Sequence, residues 1–453
     1  MFSISQYKSH YHSLIVLGLP IIVGQLGAIA QGFADTLMIG RHGSLELSAA
    51  GFVNGLFALA IIFGMGFSYG LTPVSGALFG KGERKRVGGL LKSALLANLL
   101  LSFIVTVIMT VVYLNIDRMG QPVEIIGYIR PYFLILLVSL IPVQLFYTFK
   151  QFTDSINKTS IGMWIIIVSN LFNIAGNYVF IYGKLGFPEL GLLGAGVATT
   201  LSRFLMVFIY LAVILFSSEY RDYRRGFTQE KVNKADFRQM NAMGWPLAFQ
   251  MGTEAASFSL AAVMMGWIGS VALAAHQVLQ TISQFCFLIY YGLGAAVAIR
   301  VSNFMGLRDW VNVRRNAYAG FHLMLIFGLL ALILILTFRS AIVGWFTTDE
   351  QIIRSVFVLM IPFACYQFGD VLQTTFANAL RGTGDVKMMM KYAFIAYICV
   401  SLPVSYFFGF ILNWGGIGVW MGFPFGLTTA GILFFLRFRR RVRLLVSGDK
   451  TLP

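Results

Sequence analysis

Twelve apolar runs follow one another along the chain, at 13–38, 51–76, 89–114, 130–153, 161–183, 193–217, 243–267, 272–299, 316–338, 354–379, 391–412 and 415–437. Runs of ~20–25 residues are long enough, as helices, to cross the ~30 Å hydrocarbon core of a bilayer. Inside hydrocarbon a backbone must satisfy its own hydrogen bonds, so such runs fold as helices. The alternating segments of ~10 residues that a membrane β-barrel needs are missing. Composition agrees, because only 11% of the 453 residues are charged and 58% are hydrophobic. A soluble domain carries about 25% charged residues. The pattern predicts an all-α polytopic membrane protein with twelve transmembrane helices.

The charges orient these helices. Lys and Arg number 34 against 18 Asp and Glu, a net charge of +16. In a soluble protein that excess would suggest nucleic acid. Here no nucleic-acid partner is expected, because the basic residues crowd into alternate loops. One set holds Lys81, Arg84, Lys85 and Arg86, then Lys150 and Lys158, then Arg221 through Arg238. It continues with Arg308, Arg314 and Arg315, with Arg381, Lys387 and Lys391, and with the tail from Arg437 to Arg443. The opposite loops carry only Arg41, Arg118, Arg130, Lys184, Arg339 and Arg354. Positive residues stay inside, so both termini are expected in the cytoplasm and the protein in the plasma (inner) membrane. Membrane lipid is then an obligatory surrounding partner.

The halves resemble one another. With a shift of 226 residues, Gly18 falls on Gly244, Pro20 on Pro246, Met38 on Met264, Gly40 on Gly266, Gly43 on Gly269 and Ala49 on Ala275. Further on, GAGVA at 194–198 meets GIGVW at 416–420 with a shift of 222. A register held over such a stretch predicts two six-helix pseudo-symmetric lobes. Six crossings return the chain to the same side, so the repeats are parallel, as in known transporters with a path between their halves. The expected organisation is an N-terminal lobe at 1–217, a cytoplasmic linker at 218–242, a C-terminal lobe at 243–437 and a basic tail at 438–453. The linker is the longest charged stretch, and an amphipathic piece of it is expected on the cytoplasmic leaflet. Lys8 and the stretch Ala28–Ala30 mimic a cleaved signal, but the repeat includes this segment, which argues for its retention.

Three carboxylates break the apolar pattern: Asp35, Glu254 and Asp370. A charge inside the bilayer costs at least ~2.5–3.5 kcal/mol, so such groups face a cavity, bind a cation or carry a proton. The alternative is an acid held by ordinary interhelical hydrogen bonds. Glu254 and Asp370 have Gln250, Thr253, Tyr366, Gln367 and Gln373 within about a turn. Na⁺ is a candidate occupant at Glu254 and Asp370, and a proton shared by the two acids is the other. Asp35 has prospective partners in Asn173 and Asn177, spaced i, i+4 on one face of span five. His276, at the start of span eight, can shuttle a proton near neutral pH or simply cap local structure. Arg203 is the one basic residue well inside a span. Cys286, Cys365 and Cys399 lack metal-site spacing and read as small core residues.

Several functions are disfavoured. GALFGKG at 76–82 has one residue too few for a phosphate loop and no Ser or Thr after the lysine. No nucleophile–base or metal pattern points to an enzyme, so none is expected, and no cofactor either.

GLPIIVGQLGAIAQGFADTLMIGRHG at the start, the Thr253–Glu254 pair, AAHQV at 274–278, YQFGDVLQ in span ten and LRGTGD beyond it resemble the multidrug and toxic compound extrusion (MATE) family, and its NorM-like branch. The resemblance covers nearly the whole chain. It implies a cation-coupled multidrug efflux antiporter that exchanges Na⁺ or H⁺ for small organic, often cationic and amphipathic, compounds by alternating access. It implies Asp35 as a proton or drug site, Glu254 and Asp370 as second-half cation ligands, and Asn173 and Asn177 as a supporting polar pair. Another branch has an aspartate where this chain has Asn177. The coupling ion is left as Na⁺ or H⁺, and a monomer is expected. A lipid-linked oligosaccharide flippase of related architecture is the rival. An intramembrane enzyme is the more distant one.

Overall fold

Long apolar stretches become long helices in the computed structural model, which describes residues 6–447. In chain order they are α1 (Lys8–His42), α2 (Ser44–Gly80), α3 (Arg84–Leu114), α4 (Val123–Ser155), α5 (Thr159–Ile181) and α6 (Leu192–Phe216). The second series is α7 (Lys234–Ile268), α8 (Ser270–Leu307), α9 (Trp310–Thr337), α10 (Glu350–Thr383), α11 (Val386–Ile411) and α12 (Gly416–Ser447). No strand occurs among the described residues. Eleven of the helices are long and apolar enough to cross a membrane on that basis alone. The twelfth is α7, 35 residues long, whose apolar run is diluted by Gln250, Thr253, Glu254, Ser257 and Ser259. The expected tail at 438–453 continues α12 as far as Ser447. Its last six residues, and the first five of the expected N-terminal lobe, lie outside the described residues.

Three helices are interrupted. In α4 the break is at Ser139. Pro142 lacks an N–H, so the carbonyl of Val138 loses its helical partner there. In α2 a turn intervenes at Tyr69 and Gly70. In α11 two π-helical turns, Ile395–Ser401 and Phe407–Ile411, flank Pro403. By contrast α10 runs unbroken through Pro362.

The helices gather into two compact units. One is Val23–Ala248, and the other joins the chain up to Ile22 with the chain from Phe249 onwards. Each division point falls inside a helix, the first in α1 and the second in α7. Ala248 lies 226 residues after Ile22, the same shift that carries the repeat. Each also follows a proline by two residues, Pro20 in α1 and Pro246 in α7.

Glycines allow the close crossings inside each unit. In the unit that includes Phe249, a Cβ on Gly18 would sit 3.2 Å from the carbonyl oxygen of Gly292. In the other unit, a Cβ on Gly70 would sit 2.7 Å from the amide nitrogen of Gly244. Gly18 and Gly244 are repeat equivalents, and Gly70 and Gly292 differ by 222, the later shift. One crossing, α1 on α8, is therefore the counterpart of the other, α7 on α2. Small residues let helix backbones approach without Cβ clashes.

The start of α1 is tied into the unit containing Phe249. His10 Nε2 lies 3.1 Å from Asn312 Oδ1, and Tyr11 Oη 3.0 Å from His322 Nδ1. Leu14, Leu17 and Ile21 are buried beside them.

Within 218–242 a short helix, Arg221–Gln229, packs on α3. Tyr220 and Tyr223 are buried. A Cβ on Gly226 would collide with the Lys85 carbonyl oxygen, and one on Gly88 with the Tyr223 carbonyl oxygen. Arg86 clamps the segment by pairing with Glu230 at 2.9 Å and Asp236 at 2.6 Å.

Candidate functional site

Each unit contains one acid cluster. In Val23–Ala248 it begins with α1 lying close on α5. A Cβ on Gly24 would be 3.3 Å from Ile166, and one on Gly27 would be 3.0 Å from Asn170 Nδ2. This approach carries the polar face of α5 up to Asp35. Asn177 Nδ2 donates to Asp35 Oδ1 at 2.5 Å. The Asn173 amide has two settings. In one it accepts from Asn177 and donates to Thr199 Oγ1, each at 3.3 Å. Turned over, it donates to Asp35 Oδ1 at 2.9 Å and accepts from the Thr199 backbone N–H at 3.2 Å. The second setting satisfies more of its neighbours, since it no longer faces acceptor to acceptor. Gln31, one turn before Asp35, also interacts with its carboxylate. Asn173 and Asn177 are fully buried, whereas Asp35 is half-buried.

The other unit holds Glu254 of α7 and Asp370 of α10 within electrostatic reach of one another. Gln250 Nε2 donates to Glu254 Oε2 at 2.9 Å, one turn away. Thr374 Oγ1 lies 3.1 Å from Asp370 Oδ1 and 2.9 Å from Gln373 Oε1. Gln373 Nε2 donates to the Tyr397 hydroxyl at 2.9 Å, and that hydroxyl lies against Glu254. Tyr397 sits on the first π-helical turn of α11. Such turns recur at functional sites because they re-aim side chains within a helix. The cluster so assembled is two carboxylates surrounded by hydroxyl and amide oxygens, a donor set for a hard monovalent cation or a proton.

The other residues singled out from the sequence are placed at the edge. Tyr290 Oη donates to Gln367 Oε1 at 2.8 Å. Tyr366 packs beside Trp420 and Phe423, with Asp370 in electrostatic range. Among the described residues no hydrogen bond joins Thr253 to the cluster. His276 is buried with its ring edge-on to Trp420 at 5.5 Å, and its Nδ1 has no hydrogen-bond partner. No group of three or more His, Cys, Asp or Glu that could hold a metal occurs among the described residues. Sequence reasoning missed Gln31, Thr199, Thr374 and Tyr397. Gln31 and Thr374 stand four residues from an acid, a signal that was available. Thr199 and Tyr397 sit on other helices and carried none.

A family model described as MatE matches residues 20–179 and 246–407, one stretch in each half. The chain belongs to the MatE family. MatE proteins are membrane transporters and not enzymes. The chain is 30% identical over 443 residues to the multidrug resistance protein NorM of Photobacterium profundum, covering 96% of each chain. It is also 30% identical over 437 residues to the multidrug resistance protein MdtK of Photorhabdus laumondii subsp. laumondii, covering 95% of this chain and 96% of that one. Among solved structures, the MATE transporter VcmN of Vibrio cholerae in its bent form matches with a TM-score of 0.86 at 17% identity, covering 97% of this chain and 99% of the other. The eukaryotic MATE transporter AtDTX14 matches with a TM-score of 0.86 at 17% identity, covering 98% and 99%. At that identity the structural likeness speaks for the MatE fold, and the matches to the NorM and MdtK relatives agree with the NorM-like resemblance.

Proposed function

We propose that this MatE chain is a secondary multidrug antiporter that exports small organic, often cationic and amphipathic, compounds in exchange for Na⁺ or H⁺. The observation that carries the reading is one acid cluster in each half, each built inside apolar helices from carboxylate, amide and hydroxyl groups. A membrane protein bears that solvation cost where an ion or proton must be taken up and released. Asp35 serves the first half, with Asn173 and Asn177 holding its carboxylate. Glu254 and Asp370 serve the second, with Gln250, Thr374 and Tyr397 completing the oxygen shell.

Energetically the exchange is feasible, since one monovalent charge crossing 100 mV supplies ~2.3 kcal/mol. The two like charges at Glu254 and Asp370 disfavour an empty, fully ionised pair, so cation entry and substrate release are coupled through alternating access. The protein works as a monomer in the inner membrane, with both termini cytoplasmic.

The test is ethidium efflux from proteoliposomes under imposed Na⁺ or H⁺ gradients, applied separately. Asp35→Asn, Glu254→Gln and Asp370→Asn are compared with the unaltered chain. The expected outcome is efflux driven by one of the gradients and reduced about tenfold or more in each variant, the loss of about 1.4 kcal/mol or more of coupling. Efflux untouched by all three neutralisations would make the acids structural and end the reading.

A further inference from the structure

Arg203 is a second unusual charge in the unit Val23–Ala248. It lies eleven residues into α6, which is ~16 Å along the helix at 1.5 Å per residue. Leu201, Phe204, Phe208, Leu211 and Leu215 form the exposed apolar face of that helix. Arg203 is not on it. It shares the inward face with Thr199, one turn earlier, whose hydroxyl and backbone meet Asn173 beside Asp35. It is half-exposed there.

The guanidinium has five N–H donors. Nη1 donates to Ser139 Oγ at 2.6 Å, at the break in α4. No carboxylate lies within ion-pair distance of Arg203 among the described residues. Asp35, Tyr132 and Tyr147 are near enough to act on it electrostatically. The Tyr132 hydroxyl is turned to Asn54 Oδ1, at 3.0 Å. Asp35 itself is engaged by Asn177. Thus a carboxylate and a guanidinium stand on the same inward surface, close enough to feel one another and not paired. A planar donor fork left open among apolar helices is suited to an oxyanion, which it meets with two parallel hydrogen bonds.

We propose that Arg203 forms a subsite for the anionic group of the transported compound, so that the first-half site accepts zwitterionic amphiphiles, their ammonium toward Asp35 and their carboxylate on Arg203. The proposal deepens the efflux reading and rests on it for the role of Asp35. It adds, to the simple cations of that reading, cations that also carry a carboxylate.

The experiment uses the full chain in phosphatidylcholine nanodiscs. The probes are a cationic xanthene dye bearing a free carboxylate and its methyl ester, which differ at that one group. Binding is read by fluorescence polarisation for the unaltered chain, Arg203→Gln, Arg203→Lys and Ser139→Ala. The unaltered chain should prefer the acid. Arg203→Gln should weaken acid binding about tenfold or more and leave the ester unchanged, the loss of a charge-assisted hydrogen bond. Arg203→Lys, which keeps the charge and loses the fork, should fall between the two and guards against misfolding of the Gln variant. No preference for the acid in the unaltered chain would overturn the proposal. So would equal loss of acid and ester, or an identical pattern in Ser139→Ala, since either makes Arg203 a brace for the broken helix. Disappearance of the acid preference when phosphatidylglycerol is added would assign the guanidinium to a lipid phosphate and also end it. Ester efflux under an ion gradient, measured alongside, reports on the antiport reading separately from these binding results.

Discussion

At the scale of single residues, the second-half cluster depends on links that span helices. Tyr397 joins Gln373 on α10 to Glu254 on α7, and its hydroxyl is the only polar group its side chain contributes. Tyr397→Phe removes that oxygen and strands the Gln373 Nε2 donor. About 1 kcal/mol per lost hydrogen bond corresponds to a roughly fivefold rise in the driving-ion concentration needed for half-maximal efflux. Maximal efflux should persist, because both carboxylates remain. A different residue tests stability alone. Lys150 and Asp154 form an ion pair of 2.6 Å near the end of α4, with side chains 7% and 3% exposed. Asp154→Ala leaves an ammonium in a dry site, which costs about 3–5 kcal/mol. The measurement is the Tm of the purified protein in detergent, which should fall clearly, while Arg354→Ala, in an ion pair with both side chains 80% exposed, should leave it unchanged.

At the scale of helices, the sequence was most readable where periodicity and length speak for themselves. Twelve apolar runs became twelve long helices, the diluted α7 among them, and residues of α7 repeat those of α1. Acid partners one turn away, such as Gln250 for Glu254, follow from helical geometry alone. What local pattern could not reveal is which helices lie together. Thr199 reaches Asn173 because α6 packs on α5, and Tyr397 reaches Glu254 because π-helical turns rotate α11, neither of which is written in the neighbouring residues. The linker is a similar case, for nothing in its composition reveals that Gly88 and Gly226 allow a backbone contact with α3. Gly226→Val would place a branched side chain against the Lys85 carbonyl. Limited proteolysis in membrane vesicles should then cut 218–242 several times faster than in the unaltered chain, as expected for a segment that has lost its packing. Cleavage at the unaltered rate would mean that the Arg86 clamp alone holds the segment.

At the scale of the whole molecule, charge makes the orientation testable. A net charge of +16, gathered in alternate loops, is the ground on which both ends of the chain are proposed to lie on the same side. Cys286 is buried, but Cys365 and Cys399 are exposed in the described structure, so a cysteine-free background is needed. Single replacements Glu83→Cys and Gly120→Cys then report the two faces. An impermeant maleimide should label the first only in inverted vesicles and the second only in intact cells. Labelling of both from one side would refute the orientation and the even number of crossings.

The division of α1 and α7 beside Pro20 and Pro246 has a consequence for ancestry. Each repeat begins its first helix in the unit built mostly by the other repeat, and finishes it in its own. Two identical half-length chains in that arrangement would exchange their first ~20 residues, the reciprocal donation known as domain swapping. Covalent fusion of the two copies would then turn an exchange between molecules into one within a molecule. A half-length chain expressed alone is accordingly expected to assemble as an intertwined pair, recognisable by cross-linking between its leading segment and the body of its twin. If it stays a stable single copy, its leading segment has folded back onto its own body, and the exchange is a product of fusion rather than a relic of what preceded it.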